Sequence, residues 1–406
     1  MKNIRSLVPL SKNNLHNQNT LIQIQKKTLK TSVMKYLILI ISILVIAGCT
    51  SKEELVPISA EDFAFNHKGK EIKLFTLEND NGLVCQLTNF GARVVSIYTP
   101  DKNGSFGDVV VGYGTGKDFV EKKENYFGTT IGRYGNRIGN ATFSIDSVEY
   151  VLEKNDGDNH LHGGSNGFHR QVWEVENVDK SSIVFSYVSP DMEGGYPGTI
   201  NVKVKYQLTA DNELKIEYFA NSDKNTVLNL TNHTYFNLKD AGKSTINNHL
   251  MQINADKYTP VDAGLIPTGE LAIVENTPFD FRKATAVGDR VEADHEQLKL
   301  GKGYDHNWVL NTDNNVANLA AKVTEPESGR VMEVYTNEPG IQFYGGNFLD
   351  GTDVGKNNIS FGLRSAFCLE TQHFPDSPNK PEFPDVKLET GKDYYSVCIY
   401  KFKTTE

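Results

Sequence analysis

Cysteine is scarce in this chain. Four thiols in 406 residues, with no Cys-x-x-Cys and no Cys/His zinc spacing, exclude a disulfide framework and a thiolate metal centre. Cys85, Cys368 and Cys398 lie in apolar, strand-like sequence and are expected to be buried free thiols. Helical periodicity is almost missing, which excludes a helical bundle. Basic charge is in deficit: 42 Lys and Arg face 51 Asp and Glu, for a net charge of -9. An acidic chain is poorly suited to nucleic acid or to an anionic membrane surface. The stretch Gly112–Lys117 is glycine-rich, but its spacing is not that of a phosphate loop and no βαβ pattern surrounds it. No Pro/Ser-rich linker and no internal repeat divides the chain.

What is present begins with an N-terminal signal. Met34 and Lys35 precede an apolar run from Tyr36 to Ala47, then Gly48 and Cys49. A basic start, an apolar run of about a dozen residues and a small-residue junction describe a secretory signal. The run is shorter than the roughly 20 residues of a membrane span. Ile46-Ala-Gly-Cys49 resembles a bacterial lipobox, so Cys49 is the expected lipidation site; a short anchor helix is the alternative. Residues 1–48 are then a removed extension and signal, 49–58 a tether and 59–406 one domain. Met34 is a second candidate start. Removing residues 1–48 takes away seven basic residues and no acid, and the net charge becomes -16. The expected location is outside the cytoplasm, as a periplasm-facing or outer-membrane lipoprotein. Its membrane link is the lipid alone.

Strand periodicity runs through the rest. Val202, Val204, Tyr206 and Leu208 alternate with Lys203, Lys205 and Gln207, and after a turn Leu214, Ile216 and Tyr218 alternate with Lys215 and Glu217. This predicts a hairpin with one buried face. Many such runs, separated by turns rich in the chain's 34 glycines, predict an all-β fold, a large antiparallel β-sandwich with few short helices. A minor helix is expected over 284–293.

Six polar segments interrupt this structural sequence. In Asn229–Leu238, strand alternation places Asn229, Thr231, His233, Tyr235 and Asn237 on one face and mostly apolar residues on the other. A histidine lining a polar cleft moves protons near neutral pH; without partners, an ordinary strand with a solvated face is the favoured reading. Asn136 and Arg137 lie among glycines. His160 and His162 share a strand face before Gly163 and Gly164. Asp305 opens a strand, Gln342 interrupts an aromatic run, and Glu370 follows Phe367-Cys-Leu369. Burial there raises a carboxylate's pKa and makes it a better base. Taken singly, Glu370 also reads as a surface residue, Arg137 as an ion-paired turn residue and Asp305 as a turn former. The His160/His162 pair suits a metal with His169, His233 or Asp305 as a third ligand, but nothing completes a recognisable set, and no metal or cofactor is expected.

Together, and in this order, the Asn-Arg-Ile, Leu-His-Gly-Gly, Asn-His-Thr-Tyr-Phe-Asn-Leu, Tyr-Asp-His-Asn, Gly-Ile-Gln-Phe-Tyr and Leu-Glu-Thr-Gln segments resemble the aldose 1-epimerase (galactose mutarotase) family over roughly residues 60–402. The resemblance implies a mutarotase-like supersandwich and interconversion of the anomers of free aldohexoses, galactose or glucose. It makes Glu370 the base on the C1 hydroxyl and His233 the acid at the ring oxygen. His162 and Arg137 would hold the reacting oxygens and Asp305 the ring hydroxyls. Gln342 and Asn136 would support the base and the arginine. The expected partner is a free monosaccharide bound to a monomer. Trp173, Trp308, Phe343 and Tyr344 are candidates for stacking on a sugar, while most of the chain's aromatics are expected in the core. Two positions depart from the family pattern: His169 stands where an acid is common, and Gly345 where a threonine is common.

Three other classes compete. A non-catalytic sugar binder would lack the acid or base. An enzyme of polymeric carbohydrate would want an extended cleft and a tyrosine–arginine arrangement. A hexose 6-phosphate enzyme would need a basic pocket, which an acidic chain without such a cluster disfavours.

Overall fold

The computed structural model describes residues 20–35, 55–123 and 125–405. The chain separates into Met1–Glu54 and Leu55–Glu406. In the first unit, residues 20–35 form a helix exposed on every side. Cys49 and the apolar run before it lie outside the described residues. Among the described residues no helix is long and apolar enough to cross a membrane. In the second unit, Ile58, expected in the tether, is fastened to the domain. Its N–H donates to Gln86 Oε1 at 3.0 Å, and its carbonyl accepts from Gln86 Nε2 at 2.8 Å.

The second unit is built on two large antiparallel sheets, of nine and seven strands. The hairpin expected near 200–220 is the middle of the larger one. Ile200–Leu208 pairs with Glu213–Ser222 in unbroken register, Leu208 opposite Leu214. Val202, Val204, Tyr206 and Leu208 are buried while the lysines between them reach water. The C-terminal strand Asp393–Thr404 enters between Glu213–Ser222 and Arg330–Thr336. Side chains from both sheets form one core. Burying each Val or Leu there contributes about 1.5–3 kcal/mol.

Three strands of the seven-stranded sheet position the site. They are β1 (Asp305–Val309), β2 (Gly340–Tyr344) and β3 (Phe367–Gln372), adjacent in that order. Alternation sends Trp308, Ile341, Phe343, Phe367 and Leu369 into the shared core. The opposite face carries Asp305, Gln342, Tyr344, Cys368 and Glu370. Register sets Tyr344 between Asp305 and Cys368, and Gln342 between Asn307 and Glu370. Tyr400 joins the two sheets by donating to the Leu369 carbonyl at 2.8 Å.

Three expectations are corrected. The helix over 284–293 is a two-residue strand, Thr285–Ala286, followed by a 3₁₀ turn, Val287–Asp289; pairing with Leu250 and Met251 overrides a weak local preference. The Asn229–Leu238 strand is broken, with ladder pairing only at Thr231–Asn232 and Tyr235–Phe236. Both of its faces are buried, so polarity there marks internal hydrogen bonding as well as a cleft. Finally, Trp173, Trp308 and Phe343 are wholly inside the core, leaving only Tyr344 of the four proposed stacking residues at the cavity.

Candidate active site

A cavity of about 320 Å³ opens on the polar face of β1–β3, lined among others by Asn136, Arg137, His162, His233, Asp305 and Glu370. These come from five separate stretches of chain. Gln342 is not on the wall; it lies beneath it.

Glu370 and His233 form the centre. Glu370 Oε1 is 3.6 Å from His233 Nε2. Glu370 is 2 % exposed, and among the described residues its Oε2 meets no hydrogen-bond partner. Burial drives its pKa well above the carboxylate range, and the nearby Asp305 charge pushes the same way, against Arg137. A carboxylate that is dehydrated and under-bonded is a strong proton acceptor. The His233 ring is enclosed by Tyr126, His162, Tyr235 and Tyr344. Its Nδ1 is 3.5 Å from the Cys368 sulfur.

His162 is aimed by backbone. Asn136 (φ 64°) and His162 (φ 53°) both take left-handed conformations, which asparagine tolerates better than most residues. The two backbones exchange a bond, His162 N–H to Asn136 carbonyl at 3.0 Å. The Asn136 N–H donates to His162 Nδ1 at 3.1 Å. Burial first, and then the His233 and Arg137 charges, hold the His162 pKa well below its ordinary value. It is a neutral ring with its proton on Nε2. Asn136 Oδ1 accepts the Arg137 N–H at 2.9 Å.

Arg137 is fixed by an acid that sequence reasoning missed. Its Nε donates to Asp156 Oδ2 at 2.7 Å. Asp156 sits in a turn-rich Asp-Gly-Asp-Asn run and carries no motif, so only folding reveals its position. Asp305 accepts from Gln342 Nε2 at 2.7 Å. Gln342 thus supports Asp305, not the base, although it faces Glu370 across the ladder. Burial raises the Asp305 pKa, opposed by Arg137 and Gln342.

The His160/His162 pair is split. The left-handed turn at His162 ends strand alternation, and His160 turns inward, its Nδ1–H donating to the Glu153 carbonyl at 2.7 Å. Tyr126, also missed, covers His162 with ring centroids 4.6 Å apart and touches His169 at 5.0 Å. Ligand atoms of His162, His233 and Glu370 do lie within 4.8 Å of one another. A metal-binding imidazole ordinarily donates its outer N–H to an acceptor. The outer nitrogen of His162 instead receives a backbone N–H, which suits a hydrogen-bond donor in the pocket rather than a metal ligand.

An antiparallel sandwich holding a raised carboxylate, an imidazole and fixed hydrogen-bonding groups in one small polar cleft defines an acid–base enzyme of a compact hydroxylated substrate. The sequence model of the aldose 1-epimerase family matches residues 73–401. Galactose mutarotase of Bos taurus is 42% identical over 331 residues, covering 82% of this chain and 94% of that protein. Aldose 1-epimerase of Escherichia coli (strain K12) is 38% identical over 336 residues, 82% of this chain and 96% of that protein. The crystal structure of an aldose epimerase homologue from C. elegans superposes with a TM-score of 0.76 at 32% identity, over 82% of this chain and 99% of that one. The chain belongs to the aldose 1-epimerase family and is an isomerase that interconverts the anomers of aldoses.

Proposed function

We propose that the substrates are free aldohexoses, galactose and glucose foremost, with Glu370 as base and His233 as acid. The observation that carries this is the 3.6 Å approach of Glu370 Oε1 to His233 Nε2. The two groups reach the C1 hydroxyl and the ring oxygen of one hemiacetal. Glu370 takes the O1 proton, the C1–O5 bond breaks, and O5 takes the proton on His233 Nε2. The aldehyde turns about C1–C2. O5–H then returns its proton to His233 as O5 attacks the other face of C1, and O1 recovers the proton held by Glu370. All atoms and protons are restored, and only the C1 configuration has changed. His162 Nε2–H and Arg137 hold oxygens near C1, while Asp305 accepts from ring hydroxyls.

Each of the acid and base contributes about 10²–10⁴-fold. Polarimetry or NMR on freshly dissolved α-galactose and α-glucose tests the reading. Folded Glu370→Gln and His233→Asn proteins are expected to lose at least about 100-fold in kcat. Wild-type rates in either variant would remove the assigned roles.

The basic start, apolar run and Gly48-Cys49 junction support an exported lipoprotein, attached through lipid on Cys49. Metabolic labelling with a radioactive fatty acid in a bacterial host tests this. Equal label on wild type and Cys49→Ser would refute it.

A further inference from the structure

Anomerisation runs in both directions over one base. Glu370 must therefore meet the C1 oxygen in its axial and in its equatorial position, and the cavity must accept an oxygen in either. We propose that the same cavity hydrolyses aldono-1,5-lactones, the oxidised counterparts of its pyranose substrates, to aldonic acids. The inference rests on the reading of Glu370 and His233 given above.

A 1,5-lactone keeps the ring and the ring hydroxyls of its parent sugar but carries a carbonyl at C1. Water adding to that carbonyl gives a ring carbon with two oxygens outside the ring, one axial and one equatorial. This adduct fills at once the two positions that the two anomers use in turn, with an oxygen where the sugar has its C1 hydrogen.

The side chains match what the addition needs. Glu370 Oε1 lies 3.6 Å from His233 Nε2, and Oε2 meets no hydrogen-bond partner among the described residues. The carboxylate thus has an oxygen to take a proton from attacking water beside the imidazole that serves O5. Negative charge develops on the carbonyl oxygen as water adds. Two donors on the same cavity wall are fixed to receive it. His162 presents Nε2–H, because its Nδ1 accepts the Asn136 N–H at 3.1 Å. Arg137 is held by the 2.7 Å bond from its Nε to Asp156 Oδ2. Donors fixed in a buried site before the charge appears are effective stabilisers of an oxyanion.

The water oxygen bonds to C1 as Glu370 takes one of its protons, and the carbonyl π pair moves onto O1. That pair then re-forms the double bond, C1–O5 breaks, and O5 takes the proton on His233 Nε2. The new carboxylic acid returns a proton to His233, and Glu370 releases its own to solvent. Lactone and water have become aldonate and one proton, with no change of oxidation state. The second half is the ring opening of anomerisation, performed on a carbon that carries one more oxygen.

The test follows proton release from glucono-1,5-lactone in weak buffer near neutral pH, against the spontaneous rate, with glucose anomerisation measured on the same preparation. Wild type is expected to exceed the spontaneous rate by at least about tenfold, since acid and base each contribute about 10²–10⁴-fold. Folded Glu370→Gln and His233→Asn proteins are expected to fall back to it. Galactose is expected to inhibit competitively, with a constant close to its own KM for anomerisation. A preparation that anomerises glucose but leaves the lactone at its spontaneous rate overturns the proposal and leaves the catalytic reading in place. Hydrolysis that survives in both variants, or that galactose does not inhibit, overturns it equally. No acceleration of glucose or galactose by the wild type would instead strike at the catalytic reading itself, and this inference would fall with it.

Discussion

The backbone N–H of Asn136 donates to Nδ1 of His162 at 3.1 Å, and that bond decides which nitrogen the substrate meets. An amide can only donate, so Nδ1 carries a lone pair and the neutral ring presents Nε2–H to the cavity. Burial and two neighbouring cationic groups keep the ring uncharged.

His162 is therefore expected to titrate well below its ordinary range and to stay neutral through the pH at which an ordinary histidine becomes charged. Nitrogen-15 NMR of the ring checks this; a shift to the charged form near pH 6.5 would contradict it. Because the role is donation, His162→Gln is expected to retain roughly fivefold more kcat/KM than His162→Leu, one well-placed hydrogen bond being worth about 1 kcal/mol. Equal losses in the two variants would count against donation.

Glu370 imposes a cost on the fold. Its folded pKa lies well above the ordinary value because the carboxylate is buried beside Asp305. A raised pKa means that folding favours the protonated form. The associated stability is present below about pH 4.3 and is lost as pH rises through the folded pKa. Glu370→Gln cannot ionise. Its melting temperature is expected to match wild type near pH 4 and to exceed it increasingly towards pH 8. Calorimetry across that range decides, and a variant less stable at pH 8 would show the carboxylate to be better compensated than its burial implies.

Asp305 tunes the base. Its charge is the second cause, after burial, of the raised Glu370 pKa. Asp305→Asn removes that repulsion, so the acidic limb of kcat/KM is expected to move to lower pH. KM should rise at the same time through the lost acceptor for sugar hydroxyls. A limb that stays in place or moves to higher pH would separate the two carboxylates electrically.

Gly163 has no freedom to change. At φ +82° it follows His162, and a Cβ on it would stand 2.0 Å from the Gly132 carbonyl oxygen. Gly163→Ala is expected to destabilise the domain by more than about 3 kcal/mol and to displace His162 from Asn136. Denaturant unfolding measures the first effect and kcat the second. A loss under 1 kcal/mol would mean that the turn relaxes easily.

Much of this was legible before folding. Alternation located the 200–220 hairpin and the outward-facing lysines, because strand period is a local property of the backbone. Apolar composition, not alternation, singled out the segments holding Gln342 and Glu370, and both proved to be strands. Alternation failed where the chain leaves the strand: His160 and His162 are two apart, but a left-handed turn sends them to different places. It failed too for Asp156 and Tyr126, whose sequences carry no pattern that marks a cavity wall.

The sequence by itself determined the class of fold and, through six ordered segments, the family, since side-chain periodicity and residue order need no distant contact. Tertiary structure decided the partners: Glu370 with His233, Gln342 with Asp305 rather than the base, Arg137 with Asp156. It also decided how far Glu370 is dehydrated. Register, burial and pKa depend on which distant strands lie side by side, and no local pattern encodes that.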